Sequence, residues 1–120
     1  MYYNTKQSIS GFDALFATNK ANMNDRFVAY WDVTSARFAG NPFVVGYDPI
    51  NEPGASNPLR DPTLNIPGVM DRKHLAPTYE KIFDKYMTND EDAIMWFEAV
   101  TTFPDVQGNK DGGIVHPIGF

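Results

Sequence analysis

Apolar positions along the chain fall into four clusters separated by polar or turn-forming stretches. In "GFDALFATN", Phe12, Leu15 and Phe16 stand at helical spacing and predict a short helix. The second cluster starts at a capping residue, Asn24 or Asp25, and carries Phe27, Val28, Trp31 and Phe38 until "GNP" at 40–42 stops it. Gly40 suits the left-handed position past a helix end, and Pro42 disfavours helical geometry at Asn41, so a sharp turn is expected. A strand follows, in which Phe43, Val44, Val45 and Tyr47 form a near-continuous apolar run suited to burial on both faces.

Residues 54–74 are rich in Pro, Asn, Gly and Asp and read as a long connection. Leu75, Tyr79, Ile82, Phe83 and Tyr86 then mark one face of a helix, with Pro77 tolerable in its first turn, until "TNDED" breaks it. Ala93–Val100, "AIMWFEAV", has the length and apolarity of a second strand and ends near Glu98. The tail from 101 to 120 reads as loop, with a weak extended stretch at Ile114 and Val115. Helix, strand, loop, helix and strand in alternation predict an α/β unit with a parallel sheet.

Composition narrows the function. With 120 residues, 42% hydrophobic and 14% aromatic, the chain should pack as one unit, and no internal repeat divides it. A net charge of -5 without a basic cluster argues against nucleic acid as a partner. Cysteine is absent, which rules out disulfides and thiolate metal sites. No apolar run approaches the roughly 20 residues that cross a bilayer, so no integral membrane segment is expected and the chain reads as soluble. His74 and His116 lack ligand-spaced partners, and Asp90, Glu91 and Asp92 lack the spacing of a calcium loop, so no metal is expected.

The chemical signal is "GYDPINEP", Gly46 to Pro53, where an apolar strand ends in Asn-Glu-Pro. A carboxylate at the carboxyl end of a parallel strand sits where barrel enzymes place catalytic groups. Cleaving a glycosidic bond takes one carboxyl group to protonate the departing oxygen and a second to attack or stabilise the anomeric carbon. Glu52 fits the first role, Asn51 has an amide able to hold a sugar hydroxyl, and Pro53 should keep Glu52 extended, aimed over the strand end. By itself the tripeptide is also an ordinary strand-to-loop exit. Trp31, Trp96 and the tyrosines have ring faces that stack on sugars, although rings at such spacing are more often core.

Taken together, "DRFVAYWDVTSARFAGNPFVVGYDPINEP", "LAPTYEKIFDKY" and "IMWFEAV" resemble glycoside hydrolase family five barrels, most closely the endoglycoceramidase and glucosylceramidase branch. The resemblance runs from about Phe12 to Val100. It implies that Glu52 is the general acid/base on the fourth barrel strand, Asn51 its substrate-contacting neighbour, and "IMWFE" the fifth strand. It further implies a retaining mechanism on a glycolipid or other β-glycoside, with no organic cofactor, in a secreted or lysosomal parent enzyme. The family's nucleophile is a second Glu on the seventh strand, and nothing in this chain corresponds to it. Glu98, on the strand beside that of Glu52, reads as a rim group binding substrate or a neighbour, and Trp96 joins it as a substrate contact.

Pro49 departs from the family pattern, because inside a central strand it removes a ladder hydrogen bond. A complete barrel takes about 250 residues. Residues 1–120 are therefore expected to be a single segment of a TIM (β/α)8 barrel, with two parallel strands and two to three helices, completed by the remaining barrel or by self-association. The alternative functional reading is a non-catalytic barrel remnant that binds carbohydrate, lipid or protein. A third is a small closed α/β domain whose likeness to the family is accidental.

Overall fold

The computed structural model describes residues 5–54, 56–66 and 68–100. Helix α1 spans Lys6–Phe12, begins where Thr5 accepts the Ser8 N–H, and runs on as a wider π turn over Asp13–Ala17. Asn19 then takes a left-handed backbone, and its side-chain oxygen accepts the N–H groups of Asn24 and Asp25. Helix α2, Met23–Phe38, is therefore capped from Asn19, and the two residues expected as its cap lie inside its first turn. The stop at Gly40 is as expected, with φ +69° and Asn41 N–H donating to the Phe38 carbonyl.

The strand that follows is shorter than its apolar run. A turn in which Val44 N–H donates to the Asn41 carbonyl, and Phe43 N–H to the Asn41 side chain, captures the first residues. Only Gly46–Tyr47 forms strand β1; Phe43 is 93% exposed and Val45 62%, so burial on both faces does not hold. Pro49 lies beyond β1 and interrupts no ladder bond. Strand β2, Ile94–Met95, pairs parallel with β1, with Gly46 opposite Ile94 and Tyr47 opposite Met95. Among the described residues the parallel sheet is thus a two-residue pair, and the other regular elements are helical.

The connection from 54 onwards is packed rather than loose. Pro62–Asn65 forms a 3-10 turn capped by Asp61, and Leu64 and Met70 are buried. Helical geometry resumes at Val69, ahead of the expected start, passes through a π turn at Asp71–Leu75, and continues as helix α3, Ala76–Asn89. The π turn accommodates Pro77. A proline in a helix has no N–H and crowds the carbonyl four residues back, and the Ala76 N–H reaching Asp71 O widens the turn just before it.

Helices α2 and α3 are tied at both ends by polar bonds. Asn24 donates to Thr78 and accepts from Lys81, while Asn89 donates to Asp32 and Ser35. Between them Tyr47 from β1 enters a ring cluster with Trp31 and Tyr86, the Tyr47 and Tyr86 centroids 4.7 Å apart. A second cluster, Phe16, Leu64, Met70, Leu75, Tyr79 and Val100, seats α1 and the 54–70 connection beneath the ends of both strands. The weak extended stretch at Ile114–Val115 and His116 lie outside the described residues.

Candidate active site

Beyond Tyr47 the chain runs through Asp48, Asn51 and Glu52 beside the segment that follows β2. Asn51 and Glu52 are exposed, and neither side chain has a hydrogen-bond partner among the described residues. Glu52 is not extended. Its φ is +45°, a left-handed state that costs a non-glycine residue about 1–3 kcal/mol. The extended backbone that a following proline favours is overridden at this position.

The force present here is a long-range bond: Glu52 N–H donates to Oε2 of Glu98 at 2.5 Å. Glu98 is itself held through its backbone, its N–H donating to the Tyr79 hydroxyl and its carbonyl accepting from that hydroxyl, both at 3.3 Å. Downstream of Glu52, Pro53 is buried and Gly54 lies so close to the Phe12 ring that a Cβ would stand 2.6 Å from it. Ser56, fully buried, donates to Asp13 at 2.6 Å, and Arg60 forms an ion pair with the same carboxylate at 2.7 Å. The exit from Asn-Glu-Pro is therefore fastened to α1 and its π extension.

Asp48 was not singled out by sequence. Its carboxyl is held above the ordinary range by desolvation and then by the negative charge of Glu98, against a backbone hydrogen bond from Ile50 that lowers it. Asp48, Glu52 and Glu98 thus gather on one rim, but among the described residues no group of three His, Cys, Asp or Glu is arranged to hold a metal ion. The only signal available was the Asp-Pro step in "GYDPINEP", which marks a turn rather than a site.

Trp96 continues the ladder, its N–H donating to the Tyr47 carbonyl at 2.9 Å, and the residue is 47% exposed. Trp31 is core, enclosed by Phe27, Tyr30, Tyr47 and Tyr86. Phe97 packs edge-on against Tyr79, and the two line an open apolar hollow of about 210 Å³ with Phe83 and Met95. The acidic turn after α3 is structural, since Asp90 accepts from the Tyr47 hydroxyl and the Gly40 N–H. His74 stands apart, its basicity lowered by burial and then by Lys73. No helix among the described residues is long and apolar enough to cross a membrane.

The arrangement offers an exposed carboxyl group whose backbone N–H is bonded to Glu98, with the exposed Asn51 amide next to it in sequence.

Two curated relatives match the chain. It is 39% identical over 100 residues to an endoglycoceramidase of Cyanea nozakii, a match covering 83% of this chain and 20% of that protein. It is 36% identical over 115 residues to an endoglycoceramidase of Hydra vulgaris, covering 91% of this chain and 22% of that protein. The chain thus spans about a fifth of the length of the curated relatives it matches. No family model matches it. Identity of this extent shows the endoglycoceramidase-like character read from the sequence, and an accidental likeness is ruled out.

Proposed function

We propose, on the premise that this chain is endoglycoceramidase-like over most of its length, that it is the acid/base-bearing segment of a retaining β-glycosidase of family five acting on glycosphingolipids. The observation that carries the proposal is Glu52: exposed, beyond the end of a parallel strand, with its backbone held by contacts on both sides. In the first step the Glu52 carboxyl gives its proton to the glycosidic oxygen as the bond to the anomeric carbon breaks. The ceramide alcohol leaves neutral, and a second carboxylate bonds to the anomeric carbon. In the second step ionised Glu52 takes a proton from water, which displaces that carboxylate and frees the sugar.

In this reading Asn51 holds a sugar hydroxyl and Trp96 stacks on a sugar face. Glu98 is not the second carboxylate in this reading, because it follows the strand paired directly with that of Glu52, whereas the resemblance puts the nucleophile on a later barrel strand. We assign that role to a group outside the described residues, on a barrel strand that joins this segment. In a preparation active on a glycosphingolipid, whether the chain alone or the chain joined by the polypeptide that supplies the second carboxylate, Glu52→Gln should lower turnover by about 100-fold or more. Undiminished hydrolysis would reject the assignment.

Exposed Asn51 and Trp96 would serve equally a second reading, a barrel remnant that binds glycolipid without cleaving it. There Glu52→Gln leaves binding nearly intact and no preparation of the protein hydrolyses substrate.

A further inference from the structure

The backbone at Glu52 is in a state that a glutamate does not adopt unaided, since φ of +45° crowds Cβ against the chain. Such outliers persist only where the surroundings determine them, and they concentrate at functional sites. Two grips meet here. Downstream, buried Pro53, the closely packed Gly54 and the Ser56–Asp13 bond fix where the chain leaves. None of these is a hydrogen bond to Glu52 itself. Upstream, one contact is: Oε2 of Glu98 accepts the Glu52 N–H.

The Glu98 side is built to stay in place. Tyr79, buried on α3, bonds the Glu98 backbone through both its N–H and its carbonyl, so the carboxylate projects from a fixed point. Among the described residues no cation forms an ion pair with Glu98, and its carboxylate receives no hydrogen bond other than the Glu52 N–H. The Glu52 N–H is thus the donor that the protein offers this carboxylate among the described residues, and a bond to a charged acceptor is among the stronger kinds.

We propose that Glu98 is a positioning residue: its carboxylate, by taking the Glu52 N–H, selects the left-handed backbone at Glu52 and so sets the direction in which the Glu52 side chain projects. The assignment rests on the acid/base reading of Glu52 for its significance, while the bond itself does not. A strand-end glutamate that resembles a second catalytic carboxylate in sequence is, in this geometry, the support for the first.

The test is made on the uniformly 15N-labelled 120-residue chain by following amide resonances and their exchange with solvent. The Glu52 amide proton should lie downfield and exchange slowly for a residue so exposed. Glu98→Ala should move it upfield and speed its exchange about tenfold or more, the loss of a bond to a charged acceptor. Glu98→Gln keeps an acceptor oxygen, so it should restore slow exchange while still moving the proton upfield, because the acceptor is no longer charged. The ladder amides of Ile94 and Trp96 report whether each variant retains the sheet. If Glu98→Ala loses them, Glu98→Gln alone decides. A Glu52 amide proton at the wild-type position in either variant, or a Glu52 three-bond HN–Hα coupling in Glu98→Ala that stays at its wild-type value, with the ladder intact, overturns the proposal. The experiment reads the backbone and not turnover, so its failure is separate from the failure of Glu52→Gln to impair hydrolysis.

Discussion

Two tyrosines in one ring cluster should respond to the same substitution with opposite sign. Tyr86 is fully buried, and its hydroxyl has no hydrogen-bond partner among the described residues. Burial accordingly pushes its phenol well above the usual value. Tyr47, whose centroid lies 4.7 Å away, donates to the Asp90 carboxylate at 2.9 Å and lies 3.4 Å from the Ser35 carbonyl. Burial and then Asp90 push its phenol up to about 12. Tyr86→Phe keeps the ring and removes an unpaired polar atom, so it should stabilise by about 1 kcal/mol, the lower end of the penalty for an unsatisfied buried group. Tyr47→Phe removes a bond to a charged acceptor and leaves Asp90 short of a donor, which should cost about 1.5–3 kcal/mol. Each kcal/mol moves the melting temperature of a domain of this size by about 4–8 °C. Thermal unfolding followed by near-ultraviolet circular dichroism should therefore place Tyr86→Phe above wild type and Tyr47→Phe below it. The reasoning is refuted if Tyr86→Phe melts lower than wild type, since the hydroxyl must then have a partner.

Other expectations follow from the sheet, the acid range and the rim. At Gly46 an added Cβ would meet the Ile94 carbonyl oxygen at 1.9 Å, so Gly46→Ala should force the strands apart, cost about 1–3 kcal/mol and strip exchange protection from Ile94 and Trp96. Intact protection at both amides would contradict the pairing. Asp61, held to about 2 by Lys73 and Thr63, has a folded value below its unfolded one. Its contribution should be present above about pH 4 and vanish as pH falls towards 2, and Lys73→Ala should flatten that part of the stability profile; an identical profile would exclude the pair. Trp96→Ala, at an exposed ring, should leave melting within about 0.5 kcal/mol of wild type yet weaken glycolipid binding. Unchanged binding would remove Trp96 from the site.

The helices were legible because their signals are local. Phe27, Val28 and Trp31 mark one face of α2, and Tyr79, Ile82 and Tyr86 one face of α3, where burial follows spacing. Strand length was not, since Phe43 and Val44 have strand propensity but the Asn41 side chain and carbonyl draw them into a turn. The early resumption of helix at Val69 was hidden by the polar run 71–74. Asp71 is buried there because its carboxylate accepts the Val100 N–H, a bond between residues 29 positions apart that no window of sequence reveals. Asn51 and Glu52 are candidates that their tripeptide and its context single out. The left-handed backbone of Glu52 and the hold of Glu98 upon it were not legible, because both arise from one side-chain-to-backbone bond spanning 46 positions.

The claim at the centre of this account is that Glu52 supplies the proton to the leaving group. It is tested most directly by comparing Glu52→Gln on two substrates of the same sugar, one a glycosphingolipid and one an aryl glycoside whose leaving group departs without protonation. The account predicts a loss of about 100-fold or more on the glycolipid and a far smaller loss of the first, bond-breaking step on the aryl glycoside. Equal losses on both substrates, or none on either, would contradict it.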